Sequence, residues 1–232
     1  MFKSSDMFES RSENKTKHIL TPRTIVVILI LFSMIGGIAA TGPTGPTVPA
    51  GPSAGPTVTV GPTVGPTDSI ESVAAFMKVY KVLMSPRCMN CHPSGDVPLQ
   101  GDDSHLHQML PQRGSDGKGL YAMKCTNCHQ PTNSSGVHTP PGHPNWHLPP
   151  ANMKMVFQGK TAHQLAKQLV DRKQNGNKNR QQLIEHGDDA LVIAAWNPGE
   201  GRTLPPMSHE EFKEAWETWL KKGAYAPGPK VK

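Results

Sequence analysis

Apolar residues recur at helical spacing through the C-terminal two thirds of the chain, and the sequence lacks the alternation that is typical of strands. The first helical segment begins at Asp68, where Asp68-x-x-Glu71 has the arrangement of a capping box, and it stops at Pro86. Its apolar stripe consists of Ile70, Val73, Met77, Tyr80 and Met84. This pattern predicts one amphipathic helix, with the methionines facing the core.

Further helices are predicted beyond this segment, joined by loops rich in Gly, Pro and Asn. Thr161 is a suitable cap for one helix, and Ser208 opens another whose apolar run stops at Gly223. Residues 181–196 predict one or two helices, and residues 120–128 a short one. The fold class predicted from these elements is all-α, with long loops.

The first 67 residues predict targeting and linker segments. Residues 1–41 contain an uncharged apolar run, Ile25–Ala40, behind basic residues, which is typical of a cleaved export signal or a retained signal-anchor. Residues 42–67 contain only Gly, Pro, Thr, Val, Ala and Ser, which predicts a disordered, polyproline-like linker. We therefore expect a single small domain over residues 68–227 and a short tail at 228–232.

All the cysteines of the chain lie in two C-x-x-C-H motifs. These are Cys88, Cys91 and His92 in the first motif, and Cys125, Cys128 and His129 in the second. Two cysteines three positions apart on one helical turn point the same way, so both can form thioethers with one porphyrin. The histidine that follows is then the proximal ligand of the haem iron. The motifs therefore predict two covalently bound haem c groups.

Paired C-x-x-C motifs also occur in zinc sites, redox dithiols and disulfides. A zinc site built from four thiolates needs no histidine after each pair, so the two histidines favour haem. Residues 93–124 are too few to complete one cytochrome domain before the next begins, so both haems are expected in the same domain. The low aromatic content, 6%, agrees with porphyrins supplying part of the core.

Charge and targeting limit the partners. The formal net charge of +6 is modest and not clustered, which gives no support for nucleic-acid binding. An export segment places the haem motifs outside the cytoplasm, in the periplasm or cell envelope. If the segment is uncleaved, it would anchor the domain to the outer face of the cytoplasmic membrane.

The sixth ligand of each iron decides whether a haem protein carries electrons or binds small ligands. His107 is followed by apolar residues, and His147 lies in an apolar, proline-bracketed segment, so these two are predicted as distal ligands. His105 and His186 are alternatives. Met207, which follows two prolines before the last helix, is a further alternative, since methionine ligation is common in small cytochromes.

Several segments together resemble a known family. They are Cys88-Met89-Asn90-Cys91-His92-Pro93, Gly101-Asp102-Asp103, Cys125-Thr126-Asn127-Cys128-His129-Gln130, Pro144-Asn145-Trp146-His147-Leu148-Pro149 and Trp196-Asn197-Pro198-Gly199. The chain from about residue 70 to 227 resembles exported bacterial cytochrome-like proteins that are named as isoquinoline 1-oxidoreductase subunits. The family name implies electron acceptance from a molybdenum hydroxylase, within an oxidoreductase complex.

The sequence therefore predicts a dihaem electron-transfer cytochrome c of the cell envelope. It would pass single electrons between a dehydrogenase or quinol-side donor and a periplasmic acceptor, both of them redox proteins. The alternative is a haem enzyme, peroxidase-like or an oxidoreductase subunit, with one open or displaceable iron site. No acid/base pair or nucleophile stands out in the sequence, which favours the electron carrier over the enzyme.

Overall fold

Helices make up most of the regular structure of the computed structural model, which describes residues 65–229. They are α1 (Pro66–Leu83), α2 (Pro86–Met89), α3 (Ala162–Val170), α4 (Arg180–His186), α5 (Ala190–Ile193) and α6 (His209–Lys221). Short 3-10 helices span Cys125–Asn127, Ala151–Met153 and Ala194–Trp196. The predicted export segment, nearly all of the predicted linker and the end of the tail lie outside the described residues.

Two short antiparallel hairpins interrupt the helical pattern. Strand β1 (Leu99–Gln100) pairs with β2 (His105–Leu106), and β3 (Gly119–Leu120) pairs with β4 (Met123–Lys124). The fold is thus mostly helical with a few very short strands. None of the helices within residues 65–229 has the length and apolar character needed to cross a membrane.

Helix α1 begins before the residue that the sequence predicts. Pro66 lies in the first turn, where its missing N–H costs nothing, and the Asp68 carboxylate accepts a hydrogen bond from the Gly65 N–H at 3.3 Å. The predicted apolar stripe is wrong in part: Ile70 is 71% exposed and Met77 is also exposed, whereas Tyr80 and Met84 pack against the core as expected. The buried face instead consists of Ser72, Ala75, Phe76, Val79, Val82 and Leu83.

The buried face of α1 is selected by its packing against α6. The rings of Phe76 and Trp219 have centroids 4.6 Å apart, and the Ser72 hydroxyl donates a hydrogen bond to the Trp219 carbonyl at 3.0 Å. Trp216 connects α6 to α4 by donating its indole N–H to the Leu183 carbonyl at 2.7 Å. These contacts form one core, to which α3 contributes Leu165, Ala166 and Leu169.

The helix predicted over residues 120–128 is not formed. Leu120 belongs to the β3–β4 hairpin, whose turn contains Tyr121 at a positive φ of 49°. Gly119 also has a positive φ, 91°, and a side chain there would lie 2.3 Å from the Met123 carbonyl oxygen. Only Cys125–Asn127 is helical, as a single 3-10 turn. The backbone freedom of Gly119 permits the tight hairpin that replaces the expected helix.

Candidate haem-binding site

One cavity of about 1010 Å³ connects the two C-x-x-C-H motifs. Its lining includes every cysteine and histidine of both motifs: Cys88, Cys91, His92, Cys125, Cys128 and His129. The apolar part of the wall comes from the core and the loops, with Leu83, Leu99, Phe157, Leu169, Trp196 and Trp216 among its members. The volume is at the upper end of the range for small-molecule sites.

Each motif folds as a helical turn that directs its cysteines toward the cavity. In the first motif the Cys91 N–H donates to the Cys88 carbonyl at 3.2 Å, within and just after α2. In the second, the Cys128 N–H donates to the Cys125 carbonyl at 3.2 Å. None of these four cysteines is joined to another in a disulfide. The i, i+3 spacing therefore places both sulfurs of a pair on one side of a turn, as the motif argument requires.

The imidazole of His92 is held by the segment 155–157. Its Nδ1 lies 2.7 Å from the carbonyl oxygen of Met155, and the His92 carbonyl accepts a hydrogen bond from the Phe157 N–H at 2.9 Å. The Phe157 ring stacks on the imidazole, with centroids 3.8 Å apart and planes 10° from parallel. These contacts fix both the position and the plane of the His92 ring.

The imidazole of His129 is held in the same way by a different loop. Its Nδ1 lies 2.7 Å from the Pro141 carbonyl oxygen. The Trp146 ring stacks on it, with centroids 4.1 Å apart and planes 8° from parallel. Gly142 follows Pro141, and its N–H donates to the Asn133 side-chain oxygen at 2.7 Å, which holds the loop in place. Each motif histidine thus has one carbonyl acceptor and one aromatic partner.

This arrangement fixes the tautomer of both histidines. A carbonyl oxygen can only accept a hydrogen bond, so the Nδ1 atoms of His92 and His129 must carry the proton. The lone pair of each neutral ring is then on Nε2, which is the atom available to bind a metal. Metal-ligating histidines are usually oriented by such a bond from the other ring nitrogen. Both residues therefore fit the role of proximal haem ligands.

Burial favours the neutral form of three of the motif cysteines and of both motif histidines. It raises the pKa of the Cys88 thiol to about 12 and that of Cys91 to about 11, and it also raises the pKa of Cys125. Burial lowers the pKa of His92 to about 4, and the charge of nearby His186 acts in the same direction. The pKa of His129 is likewise lowered, chiefly by burial. At neutral pH both imidazoles are therefore in the neutral state that metal binding needs, with the proton on Nδ1 and the lone pair on Nε2.

Three of the histidines predicted as distal ligands or alternatives line the cavity: His107, His147 and His186. The His107 and His129 rings have centroids 6.4 Å apart at 63°. Two imidazoles bound on opposite sides of one metal, with metal–nitrogen bonds of about 2.0 Å, have ring centres roughly 6 Å apart. The His107–His129 pair therefore has a separation that suits one iron.

Hydrogen bonds at Nδ1 distinguish these three histidines. His147 donates from Nδ1 to the Asn145 carbonyl at 2.7 Å, and the Nδ1 of His186 contacts the Asp189 carboxylate. Both bonds leave Nε2 with the lone pair. The Nδ1 of His107 is instead 3.4 Å from the Met109 N–H, which is longer than an ordinary hydrogen bond and does not fix the tautomer.

The other two distal alternatives lie away from the cavity wall. His105 is exposed in β2, where its Nδ1 lies 2.6 Å from the Asp103 carboxylate. Met207 packs against the hydrophobic core, and its carbonyl accepts a hydrogen bond from the Trp196 indole at 2.8 Å. Neither residue is among the lining residues of the described cavity.

Sequence reasoning missed the groups that orient the two motif histidines. The acceptors are backbone carbonyls, of Met155 and Pro141, which carry no side-chain signal. Phe157 lies in a short loop segment without periodicity, so nothing in its local sequence indicates a stacking role. From the sequence, Trp146 could be identified only as an apolar neighbour of His147, not as a partner of His129. Finding these groups requires knowing how the loops close around each motif.

No three His, Cys, Asp or Glu side chains between residues 65 and 229 converge as a ready metal site. No family model matches the chain, and no curated protein or solved structure matches it. The resemblance to the isoquinoline 1-oxidoreductase subunits therefore stays a prediction based on the motifs.

Proposed function

We propose that this chain is a dihaem cytochrome c whose single domain carries electrons outside the cytoplasm. The observation that carries the proposal is the shared geometry of the two motifs. Both open onto one cavity, and the histidine of each donates from Nδ1 to a carbonyl and stacks on an aromatic ring. When bound, haem would supply one-electron chemistry at its iron.

The residues of each motif have distinct roles in this proposal. Cys88 and Cys91 would attach one porphyrin and Cys125 and Cys128 the other, by thioethers. His92 and His129 would bind the irons through Nε2, in orientations fixed by Met155, Phe157, Pro141 and Trp146. The surrounding apolar wall would exclude water, and the chain would thereby tune the potential of each iron.

For the distal positions we propose His107 opposite His129, because of the 6.4 Å separation of their rings. We propose His186 opposite His92, because both residues line the cavity and the Nδ1 of His186 contacts Asp189, which leaves Nε2 for the iron. His147 is the alternative, since it also lines the cavity with a free Nε2. Two nitrogen ligands on each iron favour electron transfer over ligand binding.

A second function, a haem enzyme with a displaceable ligand, is favoured by one observation. An open polar cleft of about 390 Å³ lies beside the cavity and shares Lys178, His186 and Asp189 with its wall. A small polar molecule could reach the His186 position through this cleft. If His186 leaves the iron readily, the His92 site would bind substrate rather than only exchange electrons.

Spectroscopy of the purified, haem-loaded protein tests both functions. We expect two haems per chain in a pyridine haemochrome assay and low-spin spectra in both oxidation states. The electron carrier predicts no change when carbon monoxide is added to the reduced protein. A change in the absorption spectrum of one haem on adding carbon monoxide would support the enzyme. Fewer than two haems per chain would contradict the dihaem proposal. Envelope localisation is tested separately by fractionating cells and staining the fractions for covalent haem.

A further inference from the structure

The charges on the cavity wall are unbalanced. Among the described lining residues, the basic side chains are Arg87, Lys124, Lys178 and Arg202, whereas Asp189 is the acidic one. The Asp189 carboxylate contacts His186. A concave, partly apolar wall with this excess of positive charge attracts anions, because a cleft lined by charge of one sign focuses its field.

Arg87 has an unsatisfied donor within this wall. Its side chain is only 7% exposed, and one terminal nitrogen, Nη2, lies 2.5 Å from the Asp102 carboxylate and 3.4 Å from the Gly101 carbonyl oxygen. Its Nε is buried and has no hydrogen-bond partner among residues 65–229. Leaving a buried charged donor unpaired is costly, so this atom points to a bound acceptor.

Arg202 lines the same cavity as Arg87, and its neighbour Thr203 contacts the carboxylate that Arg87 also contacts. One oxygen of Asp102 contacts Arg87, and the other accepts hydrogen bonds from Thr203, the neighbour of Arg202, at 2.6 and 3.0 Å. Arg202 is half-buried and donates to the carbonyls of Pro198 and His138. Its pKa is lowered by burial and by the charge of Arg87, against the opposing effect of Asp102. Two guanidinium groups thus line one cavity, and Asp102 links the segments that carry them.

We propose that Arg87 and Arg202 form a carboxylate-binding site on the wall of the cavity. Guanidinium groups are suited to this ligand, because their N–H groups match the two oxygens of a carboxylate. The carboxylate has two possible sources: a propionate of a haem held by the motifs, or a small carboxylic acid that enters the cavity. For the first source the inference rests on the proposed function, and for the second it does not.

Redox titration of the haem-loaded protein tests the propionate source. Arg87→Gln and Arg202→Gln each remove a positive charge near the carboxylate, so they should lower the midpoint potential of one haem and leave the other unchanged. Asp102→Asn removes a negative charge and should raise the same potential. Arg180→Gln is the control, since it removes the same charge from an exposed residue of α4 that does not line the cavity. A purely structural role would not give shifts of opposite sign.

Calorimetric titration of the same proteins with succinate tests the small-acid source. Saturable binding to the unsubstituted protein that is at least tenfold weaker in Arg87→Gln and Arg202→Gln would assign the site to a free carboxylate. Opposite potential shifts without succinate binding would assign it to a propionate. If neither effect is found, the carboxylate site is wrong. If Arg87→Gln does not fold, Arg202→Gln and Asp102→Asn decide between these outcomes.

The intact mass of the unsubstituted protein separates this inference from the proposed function. A protein without covalent haem would contradict the proposed function, and succinate binding would then decide the carboxylate site alone. A protein with two haems whose potentials do not respond to any of the three substitutions, and which does not bind succinate, would keep the proposed function and overturn the carboxylate site.

Discussion

The imidazole rings of His107 and His129 face one cavity with their centroids 6.4 Å apart, although the two residues come from loops on either side of the β3–β4 hairpin. His107 follows β2, and His129 is the last residue of the second C-x-x-C-H motif. Two histidines brought together at this separation can bind opposite sides of one iron. The identity of the distal ligand can therefore be tested directly.

Replacing His107 by alanine should change the spectrum of one haem only. The loss of a nitrogen ligand would convert that haem from low-spin to high-spin or water-bound, and it would then bind carbon monoxide. Optical and low-temperature paramagnetic resonance spectra of both oxidation states measure the change. His105→Ala is the matched control, because His105 lies nearby but is exposed and bonded to Asp103. An unchanged spectrum in His107→Ala would exclude His107 as a ligand.

His186→Ala should affect the other haem, the one attached at the first motif. The distal nitrogen opposite His92 would be lost, and carbon monoxide would bind there through the cleft that His186 shares with the cavity. His147→Ala is the paired variant, since His147 also presents Nε2 to the cavity. If His147→Ala changes the spectrum and His186→Ala does not, His147 is the distal ligand opposite His92 and His186 is not.

The buried face of α1 predicts a large difference between two substitutions on the same helix. Phe76 is fully buried against Trp219, so Phe76→Ala should lower the free energy of unfolding by about 3–5 kcal/mol. Ile70 is 71% exposed, so Ile70→Ala should change it by less than about 0.5 kcal/mol. Chemical denaturation of the haem-loaded variants measures both. A larger loss in Ile70→Ala than in Phe76→Ala would contradict this account and mean that the stripe predicted from sequence is the buried one.

Gln168 is predicted to support the loop that orients His92. It is buried on α3 and donates its amide to the Val156 carbonyl at 2.9 Å and to the Met155 sulfur at 3.1 Å. Gln168→Leu should cost about 1–3 kcal/mol of stability, because a buried acceptor loses its partner. It should also shift the potential of one haem, since the Met155 carbonyl would no longer be held against His92.

Gln181→Leu on the exposed face of α4 is the control for Gln168→Leu. It should leave both the free energy of unfolding and the haem potentials unchanged. A stability loss in Gln168→Leu without any shift in potential would mean that Gln168 supports the core alone and does not act on His92.

Helix starts with strong local signals could be predicted from sequence. Thr161 and Ser208 cap α3 and α6 as expected, because a hydroxyl paired with a glutamine or glutamate three residues on stabilises a helix start without tertiary help. The face of α1 could not be predicted, since its apolar residues lie on more than one side and the contact with Trp219 decides between them. Non-local packing sets such choices.

In the candidate site, too, the features with local sequence signals could be predicted and those set by non-local packing could not. The C-x-x-C-H motifs are local and could be located to the residue, together with their expected helical turns. The groups that hold His92 and His129 come from residues 141–157, which are distant in sequence and act through backbone carbonyls. Likewise, Arg87 and Arg202 reach the wall of one cavity from distant parts of the chain, which Asp102 links by contacting Arg87 and Thr203. Long-range loop closure has no signature in a single sequence.

The most direct test of the account is the intact mass of the purified mature protein after denaturation, together with two double variants. The unsubstituted protein should exceed the mass of its polypeptide by two haems. Cys88→Ala with Cys91→Ala, and Cys125→Ala with Cys128→Ala, should each exceed it by one. A mature protein that weighs no more than its amino acids, and gives no haem-dependent peroxidase stain on a denaturing gel, would contradict the account.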